Sequence, residues 1–386
     1  MKILYFSRDY TSHDYRFLTA LAKSGHQAAY LRLERRGHQQ EERALPPEIE
    51  IVPWKGGTSP VSMKDAAVLL PDLKRVVRRV KPDLIQAGPL QRPAFLVALA
   101  GFKPLVSMSW GYDLLLDARR NAAWEWATRF TLKRSAALVG DCDTIRRLAV
   151  SYGMPADRIV TFPWGIDLEH FSPASKMRPA LPGMKGRQAP FTLLSTRAWE
   201  PIYGVEVIAR AFAKAAANCP ALRLVMLGNG SQAGLLRQVL SNGGRIRGQI
   251  EASPDGEPPL GGAHRVLFPG QAAYSDLPRY YRSADLYIAA THSDGTSISL
   301  LEAMACGIPV LVSDIPGNRE WVEHGRNGWL FPDGDSNALA ETIREALAQR
   351  SRLPEMGSAA REIAEQRANW KENFPKLFDA YKFCAQ

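Results

Sequence analysis

The chain has 386 residues, of which 46 % are hydrophobic and 23 % charged, a composition that excludes disordered, collagenous and disulfide-framework proteins. No apolar run reaches the ~18 residues of a membrane-spanning helix, and Met1–Ser7 lacks the apolar core of a signal peptide. We therefore expect a cytoplasmic protein. The four cysteines stand far apart without C-x-x-C spacing, which predicts buried thiols and neither a metal site nor disulfides.

The net charge of +10 is concentrated in the first part of the chain. Residues 1–165 carry 25 Lys and Arg against 16 Asp and Glu (+9), whereas residues 166–386 carry 24 against 23 (+1). This asymmetry indicates an anionic partner, such as an anionic substrate or an acidic lipid surface; scattered solubilising charge is the alternative. Nucleic acid is not expected, because no nucleic-acid-binding motif accompanies the charge.

In chain order, short β-rich runs alternate with helical patterns. The strands predicted in the first half are Lys2–Ser7, Gln27–Leu33, Asp83–Ala87, Pro104–Ser109, Ala137–Gly140 and Ile159–Phe162. The helices predicted between them are Tyr15–Lys23, Lys64–Val80, Ala94–Gly101, Ala118–Arg134 and Thr144–Ser151. The helix Ala118–Arg134 mixes aromatic residues with cations, which is typical of a lipid-interface helix and also of an ordinary amphipathic helix with buried tryptophans.

The second half repeats this alternation. Its predicted strands are Phe191–Ser195, Leu222–Leu227, Arg265–Phe268, Leu286–Ala289, Pro309–Ser313 and Trp329–Phe331. Its predicted helices are Gly204–Ala217, Gly234–Leu240, Leu277–Ser283, Ile298–Ala305, Asn318–Glu323 and Asn337–Gln349. Two consecutive sets predict the α/β class, with two Rossmann-like domains whose parallel sheets carry helices on both faces.

The domain limits follow from composition. We place an N-terminal domain at 1–168, a linker rich in proline and small residues at 169–190, and a C-terminal domain at 191–368. The segment 369–386 has apolar residues at helical spacing, so packing back onto the first domain is one arrangement that buries them. A glycine- and proline-rich stretch, Asn242–Gly262, indicates a surface loop within the second domain.

Ligands of open α/β sheets bind beyond the carboxyl ends of the strands, so two domains predict a site in the cleft between them. The most informative loop there is Ser293–Ser299, which precedes the predicted helix containing Glu302. The backbone N–H groups at the start of that helix favour a phosphate, and Glu302 and Asp294 are suited to accept hydrogen bonds from hydroxyl pairs. A helix cap and a solvated charge are the alternative for these two acids. The ligand-binding positions predicted in this loop are Gly295, Thr296, Ser297, Ile298 and Ser299, of which the last three are placed to bind the phosphate.

Other loops after strands supply further candidates. Arg197 follows the first strand of the second domain, where it is placed to pair with a diphosphate or, alternatively, to form a surface salt bridge. Gly228 and Gly230 indicate a loop whose backbone a ligand can approach closely. Gly270 and Gln271 end another strand, where their backbone groups are placed to contact a nucleotide base. In the first domain, Asp113 is an acid/base candidate or a helix cap. The remaining first-domain candidates for acceptor or phosphate binding are Arg8, His13, Arg16, Trp110 and Tyr112.

These motifs together resemble retaining glycosyltransferases of family 4, which have the two-domain GT-B fold. The resemblance covers most of the chain and is strongest from Arg197 to Phe331, where two acids separated by seven residues, Asp294 and Glu302, are followed by Ala303–Val310. It implies that Glu302 binds the donor ribose, Asp294 the sugar hydroxyls, and Arg197 with the Thr296–Ser299 amides the diphosphate.

The sequence lacks one cation that this family usually has. The family usually has a lysine immediately before the glycine that corresponds to Gly204, whereas this chain has Tyr203, as in a subgroup with tyrosine there. Arg8, His13 or Arg16 are the residues we consider as replacements.

The resemblance implies sugar transfer from a UDP- or GDP-linked donor to a lipid-linked or cell-surface glycan acceptor, with retention and with the diphosphate oxygen taking the acceptor proton. No D-x-D motif stands in a loop suited to bind a metal ion at this site, so we expect neither a metal nor a cofactor. The basic first domain suggests peripheral binding to the inner face of the membrane. A nucleotide-sugar epimerase or hydrolase, or a catalytically silent partner protein of the same fold, are the alternatives.

Overall fold

The computed structural model describes residues 1–35, 41, 43–174, 190–242 and 266–384. Most of the predicted linker and, apart from Asn242, the predicted loop Asn242–Gly262 lie outside the described residues. The described chain forms two compact units: unit 1 comprises Met1–Pro163 and Glu372–Gln386, and unit 2 comprises Trp164–Lys371. The first segment of unit 1 thus ends at Pro163, whereas the sequence analysis placed the domain limit at residue 168.

Unit 1 contains a seven-stranded parallel sheet in the order β3-β2-β1-β4-β5-β6-β7. Its strands are β1 (Lys2–Ser7), β2 (Gln27–Arg32), β3 (Glu50–Ile51), β4 (Leu84–Gly88), β5 (Leu105–Met108), β6 (Ala137–Gly140) and β7 (Ile159–Thr161). Its first helices are α1 (Ser12–Ala22), α2 (Ala66–Val80), α3 (Phe95–Ala100), α4 (Tyr112–Leu115), α5 (Ala122–Arg134) and α6 (Asp143–Ser151). Every strand predicted in this half is present, and β3 is an edge strand that the prediction missed.

Unit 2 contains a six-stranded parallel sheet in the order β10-β9-β8-β11-β12-β13. Its strands are β8 (Phe191–Ser195), β9 (Leu222–Leu227), β10 (Val266–Gly270), β11 (Leu286–Ala289), β12 (Val310–Ser313) and β13 (Gly328–Phe331). Its helices are α7 (Val205–Ala216), α8 (Ala233–Asn242), α9 (Leu277–Ser283), α10 (Ile298–Ala305), α11 (Pro316–Arg319), α12 (Ser336–Ala348) and α13 (Leu353–Arg367). The two described sheets confirm the predicted α/β class.

Successive residues of one strand belong to two separate hydrophobic cores in unit 2. Leu193 of β8 belongs to the core that also contains Phe212 of α7, whereas its neighbour Leu194 belongs to the core with Met304 of α10. Successive side chains of a strand point to opposite faces of a sheet. Both faces of this sheet are therefore buried beneath helices, which explains the nearly continuous apolar strands of the sequence.

The end of the chain completes unit 1 with two short helices, α14 (Trp370–Asn373), whose first residues belong to unit 2, and α15 (Leu377–Lys382). The Phe374 ring packs edge-on against Phe17 of α1 at 6.1 Å between centroids. Tyr381 donates a buried hydrogen bond to the side-chain oxygen of Gln86. The apolar residues of this segment thus cover strand β4 and helix α1 of unit 1.

Cys142 and Cys306 are buried, Cys219 and Cys384 are half-buried, and all four are free thiols. Within the described residues, no helix is both long and apolar enough to pass through a bilayer.

Candidate functional site

The loops that follow β8 and β11 bring Arg197 and the start of α10 together in unit 2. Arg197 donates through Nη1 to the Ser297 hydroxyl at 2.9 Å and to the Ser299 hydroxyl at 3.3 Å. Its Nη2 donates to Asp294 Oδ2 at 2.8 Å. Arg197 therefore joins three residues that lie about a hundred positions later in the sequence, because parallel strands end at the same edge of the sheet.

The guanidinium of Arg197 is well held. Its central carbon lies 4.0 Å from the centroid of the Tyr203 ring, so the tyrosine found in place of the expected lysine stacks on the arginine. Burial acts to lower the pKa of Arg197, but the charge of Asp294 and its hydrogen bond outweigh burial and raise it. Arg197 Nε is buried and has no hydrogen-bond acceptor among the described residues. One donor of this cation is consequently unsatisfied by the protein.

Helix α10 begins beside this cluster. Ser297 is its N-cap in extended conformation, and its hydroxyl makes no capping hydrogen bond to the helix backbone. The first N–H groups of a helix have no acceptor within the helix and carry a partial positive charge. Arg197 and the start of α10 thus bring two sources of positive charge to one point.

Glu302 lies one turn into α10 and is buried. Its Oε2 accepts a hydrogen bond of 2.7 Å from Tyr281, and the Tyr281 hydroxyl also lies 3.0 Å from Thr196 Oγ1. Tyr287 donates to Ser299 at 2.7 Å. Two buried tyrosines therefore position the carboxylate and the hydroxyl, and neither was singled out from the sequence because no motif contains them.

An open pocket of about 230 Å³ lies at this cluster. Its lining residues are Thr196, Arg197, Ala198, Tyr203, Leu277, Ile298, Ser299 and Glu302. The pocket combines a cation, a carboxylate and an aromatic ring. Such a combination is suited to a small anionic ligand that also carries hydroxyl groups.

Glycines bring the surrounding loops into close contact. A Cβ on Gly228 would lie 2.9 Å from the Arg197 carbonyl oxygen, and one on Gly230 would lie 2.5 Å from that of Trp199. These glycines therefore support the loop that carries Arg197. Gly270 accepts a backbone hydrogen bond from Gly228, and the next residue, Gln271, is exposed. On the other side, a Cβ on Gly317 would meet the carbonyl oxygen of Gly295 at 2.2 Å, so a glycine is required there too.

In unit 1, Asp113 is buried and satisfied by the protein itself. Its carboxylate accepts hydrogen bonds from the Ser109 hydroxyl at 2.6 Å and from the backbone N–H groups of Leu90, Trp110 and Leu114 at 3.0 to 3.1 Å. Burial raises the pKa of Asp113 to about 6. The carboxylate thus ties together the turns that follow β4 and β5, but Asp113 is not the predicted helix cap, because the N-cap of α4 is Gly111 without a side-chain capping bond.

The remaining unit 1 candidates lie near the carboxyl ends of β1 and β5. Arg8 donates to Glu34 Oε1 at 2.5 Å and is hydrogen-bonded to Tyr112. The His13 ring lies 5.5 Å from the Trp110 ring, and Arg16 follows one turn later on α1. Among the described residues, no group of three or more His, Cys, Asp or Glu side chains is arranged to hold a metal ion.

Family comparisons match both units. Residues 12–170 match the family described as Glycosyltransferase Family 4, and residues 190–349 match the one described as Glycosyl transferases group 1. The first match covers strands β2 to β7, and the second covers strands β8 to β13.

This chain aligns with only part of each curated relative. D-inositol 3-phosphate glycosyltransferase of Geodermatophilus obscurus is 28 % identical over 63 % of this chain and 51 % of the relative. A GDP-mannose-dependent alpha-(1-6)-phosphatidylinositol monomannoside mannosyltransferase of Mycobacterium tuberculosis is 26 % identical over 61 % of this chain and 58 % of the relative. The chain thus spans about half the length of the curated relatives it matches.

Solved structures match over the whole length. HepE of Anabaena, solved with UDP and glucose, superposes with a TM-score of 0.76 at 19 % identity, covering 99 % of both chains. Sucrose-phosphate synthase from Thermosynechococcus elongatus gives 0.77 at 17 % identity and covers 100 % of both. At such identities the likeness establishes the fold. The chain is therefore a glycosyltransferase family 4-like protein with the GT-B fold.

Proposed function

We propose that this protein transfers a sugar from a nucleotide-diphosphate sugar, UDP- or GDP-linked, to a hydroxyl acceptor on a lipid-linked or cell-surface glycan, with retention of anomeric configuration. The observation that carries the proposal is the placement of Arg197 at the start of α10, beside Asp294, Ser297 and Ser299 and one turn before Glu302. Relatives named for sugar transfer and a neighbour solved with UDP and glucose support it.

The residues divide the donor between them. Arg197 and the amides from Thr296 to Ser299 neutralise the diphosphate, whose negative charge grows as the glycosidic bond breaks. Glu302 accepts hydrogen bonds from the ribose hydroxyls, and Asp294 accepts them from the transferred sugar. The Tyr203 ring stacks on the guanidinium of Arg197 and holds it in place.

The bond changes balance without a further reactant. The bond from the anomeric carbon to the diphosphate oxygen breaks, and the bond to the acceptor oxygen forms on the same face of the sugar. The acceptor proton passes to the departing diphosphate. Because Arg197 and the helix N-terminus supply the positive charge, we propose that turnover needs no metal ion.

The exposed face of α5 supports peripheral binding to an anionic membrane. Trp126 is 55 % exposed, contrary to the buried tryptophan of the alternative interpretation, and packs against Phe95 and Phe130. The Arg134 guanidinium lies 3.5 Å above the Phe130 ring. Aromatic rings beside cations are typical of helices at lipid interfaces. Sedimentation with phosphatidylglycerol vesicles should be lost at high salt and reduced by Trp126→Ser; salt-independent sedimentation, or none at low salt, would contradict this part.

The test of the transfer activity compares two arginine variants of the full chain. Arg197→Ala should reduce nucleoside diphosphate release from a panel of UDP- and GDP-sugars by about 100-fold or more. Arg210→Ala, which removes an exposed arginine on α7, should leave it unchanged. Proton NMR of the product linkage reports retention. Full activity of Arg197→Ala would refute the site, and release of free sugar in the presence of acceptor would indicate a hydrolase.

A further inference from the structure

Three arginines surround the switch point of the unit 1 sheet. Arg8 follows β1, Arg92 lies in the π-helical turn that follows β4, and Arg120 precedes α5. Strands β1 and β4 are the neighbours at which the strand order reverses. Loops beyond the carboxyl ends of such a pair are where open α/β sheets bind ligands.

The side chains of these arginines converge. The guanidinium carbons of Arg92 and Arg120 lie 5.7 Å and 5.1 Å from the centroid of the Trp124 ring. Asp117 is close enough to feel the charge of all three: burial raises the pKa of Asp117, and Arg120, Arg8 and Arg92 act in the opposite direction. The Asp117 carboxylate is therefore near all three arginines, and the Trp124 ring is near two of them.

Arg92 is poorly satisfied by the protein. Its Nε is buried and has no hydrogen-bond acceptor among the described residues. Burial and the charge of Arg8 lower the pKa of Arg92. A buried donor without an acceptor, next to a like charge, destabilises the structure that contains it. Arg8, by contrast, is paired with Glu34.

The cluster brings three positive charges together. Three guanidinium groups face the carboxylates of Asp117 and Glu34. A planar guanidinium donates two parallel hydrogen bonds and matches the oxygens of a phosphoryl group. An anion of this type would accept a hydrogen bond from Arg92 Nε and would be attracted by the three neighbouring cations.

We infer that Arg8, Arg92 and Arg120 form a phosphoryl-binding subsite in unit 1. This role rests on the proposed function: the subsite holds a phosphorylated acceptor by its phosphate. The acceptor is therefore a phosphomonoester or a phosphodiester. The phosphate belongs either to a soluble acceptor or to a lipid headgroup.

The first experiment titrates inorganic phosphate into the full chain by calorimetry, in an Arg197→Ala background that weakens anion binding in unit 2. Arg92→Gln and Arg120→Gln should each weaken phosphate binding by about tenfold or more. Arg129→Gln, which breaks the exposed pair with Glu125 on α5, is the matched control and should change nothing. Because Arg120 is exposed, its variant tests the subsite even if Arg92→Gln fails to fold. Unchanged binding in Arg120→Gln, or equal loss in Arg129→Gln, would overturn the inference.

A second experiment separates the two sources of phosphate and the two proposals. Glycerol 3-phosphate in solution and vesicles containing phosphatidic acid are each tested with the same variants; the source whose binding depends on Arg120 is the one assigned. Binding of UDP and GDP, followed by thermal shift with Arg197 intact, should not change in Arg92→Gln. Loss of phosphate binding with intact nucleotide binding supports the subsite, whereas absence of nucleotide binding in every chain would refute the transfer function and leave the subsite standing.

Discussion

Asp294 Oδ2 accepts a hydrogen bond of 2.8 Å from Nη2 of Arg197. The two residues form an ion pair in which the side chains are 12 % (Arg197) and 24 % (Asp294) exposed. A diphosphate that binds Arg197 therefore meets the negative charge of a carboxylate beside the same cation. The pair makes the two roles assigned to these residues interdependent. In the proposed function, the carboxylate that binds the sugar hydroxyls is also the counterion of the cation that binds the diphosphate.

Asp294→Asn should separate these roles. Removing the negative charge leaves Arg197 without its counterion, so UDP or GDP should bind roughly tenfold more tightly, or ~1.4 kcal/mol, while sugar transfer slows. Calorimetry of the nucleotide and a transfer assay measure the two effects. Asp314→Asn, which breaks the exposed pair with Arg319, is the control. Weaker nucleotide binding in Asp294→Asn would show that the ion pair does not oppose the ligand.

Tyr281→Phe should weaken the ribose contact through Glu302. The variant deprives a buried carboxylate of a donor, which costs about 1–3 kcal/mol of unfolding free energy and frees the carboxylate to move. Uridine or guanosine should consequently bind less tightly. Tyr280→Phe, at the adjacent buried tyrosine, is the matched control. Urea unfolding and nucleoside titration check both parts; equal effects of the two variants would remove the positioning role of Tyr281.

Chelation should leave turnover intact. Excess EDTA, followed by addition of Mg²⁺ or Mn²⁺, should change the transfer rate by less than about twofold, because Arg197 and the start of α10 carry the positive charge at the diphosphate. The rate is followed by nucleoside diphosphate release. Loss of activity with EDTA and its return with one cation would overturn the metal-free mechanism.

The stability of unit 1 should fall as the pH rises from about 4 to 6. Burial raises the pKa of both Asp14 and Asp113 to about 6 in the folded protein. The folded state therefore holds these protons more tightly than the unfolded chain, and each carboxyl contributes stability below pH 4 that is lost as the pH passes 6. For Asp113 the loss is about 3 kcal/mol. In urea unfolding, Asp113→Asn should lose less stability across this range than the unchanged chain, and an equal loss would contradict the pKa assignment.

Buried parallel strands were predictable because both of their faces are apolar. β1, β6, β8, β9 and β11 have the predicted bounds. β3 has two exposed residues, Glu50 and Ile51, so it offered no such run. Helix α13 was also missed, because Pro354 and Gly357 interrupt the helical pattern of Leu353–Arg367.

The site was predictable only where a motif marks it. Asp294 through Glu302 form a continuous stretch, and the structure brings Arg197 to it. Tyr281 and Tyr287 act through hydrogen bonds to other elements that form only when the chain folds. Arg92 is an isolated cation before a proline and belongs to no motif. Nothing in their local sequence distinguishes such residues from ordinary core or surface positions.

The placement of residues 372–384 has a consequence for synthesis. Phe374 and Tyr381 cover α1 and β4, yet they leave the ribosome only after all of unit 2 has been made. Until then, the nascent first half lacks the side chains that cover Phe17 and Gln86. The unit translated first is thus completed only after the unit inserted within it has been synthesised.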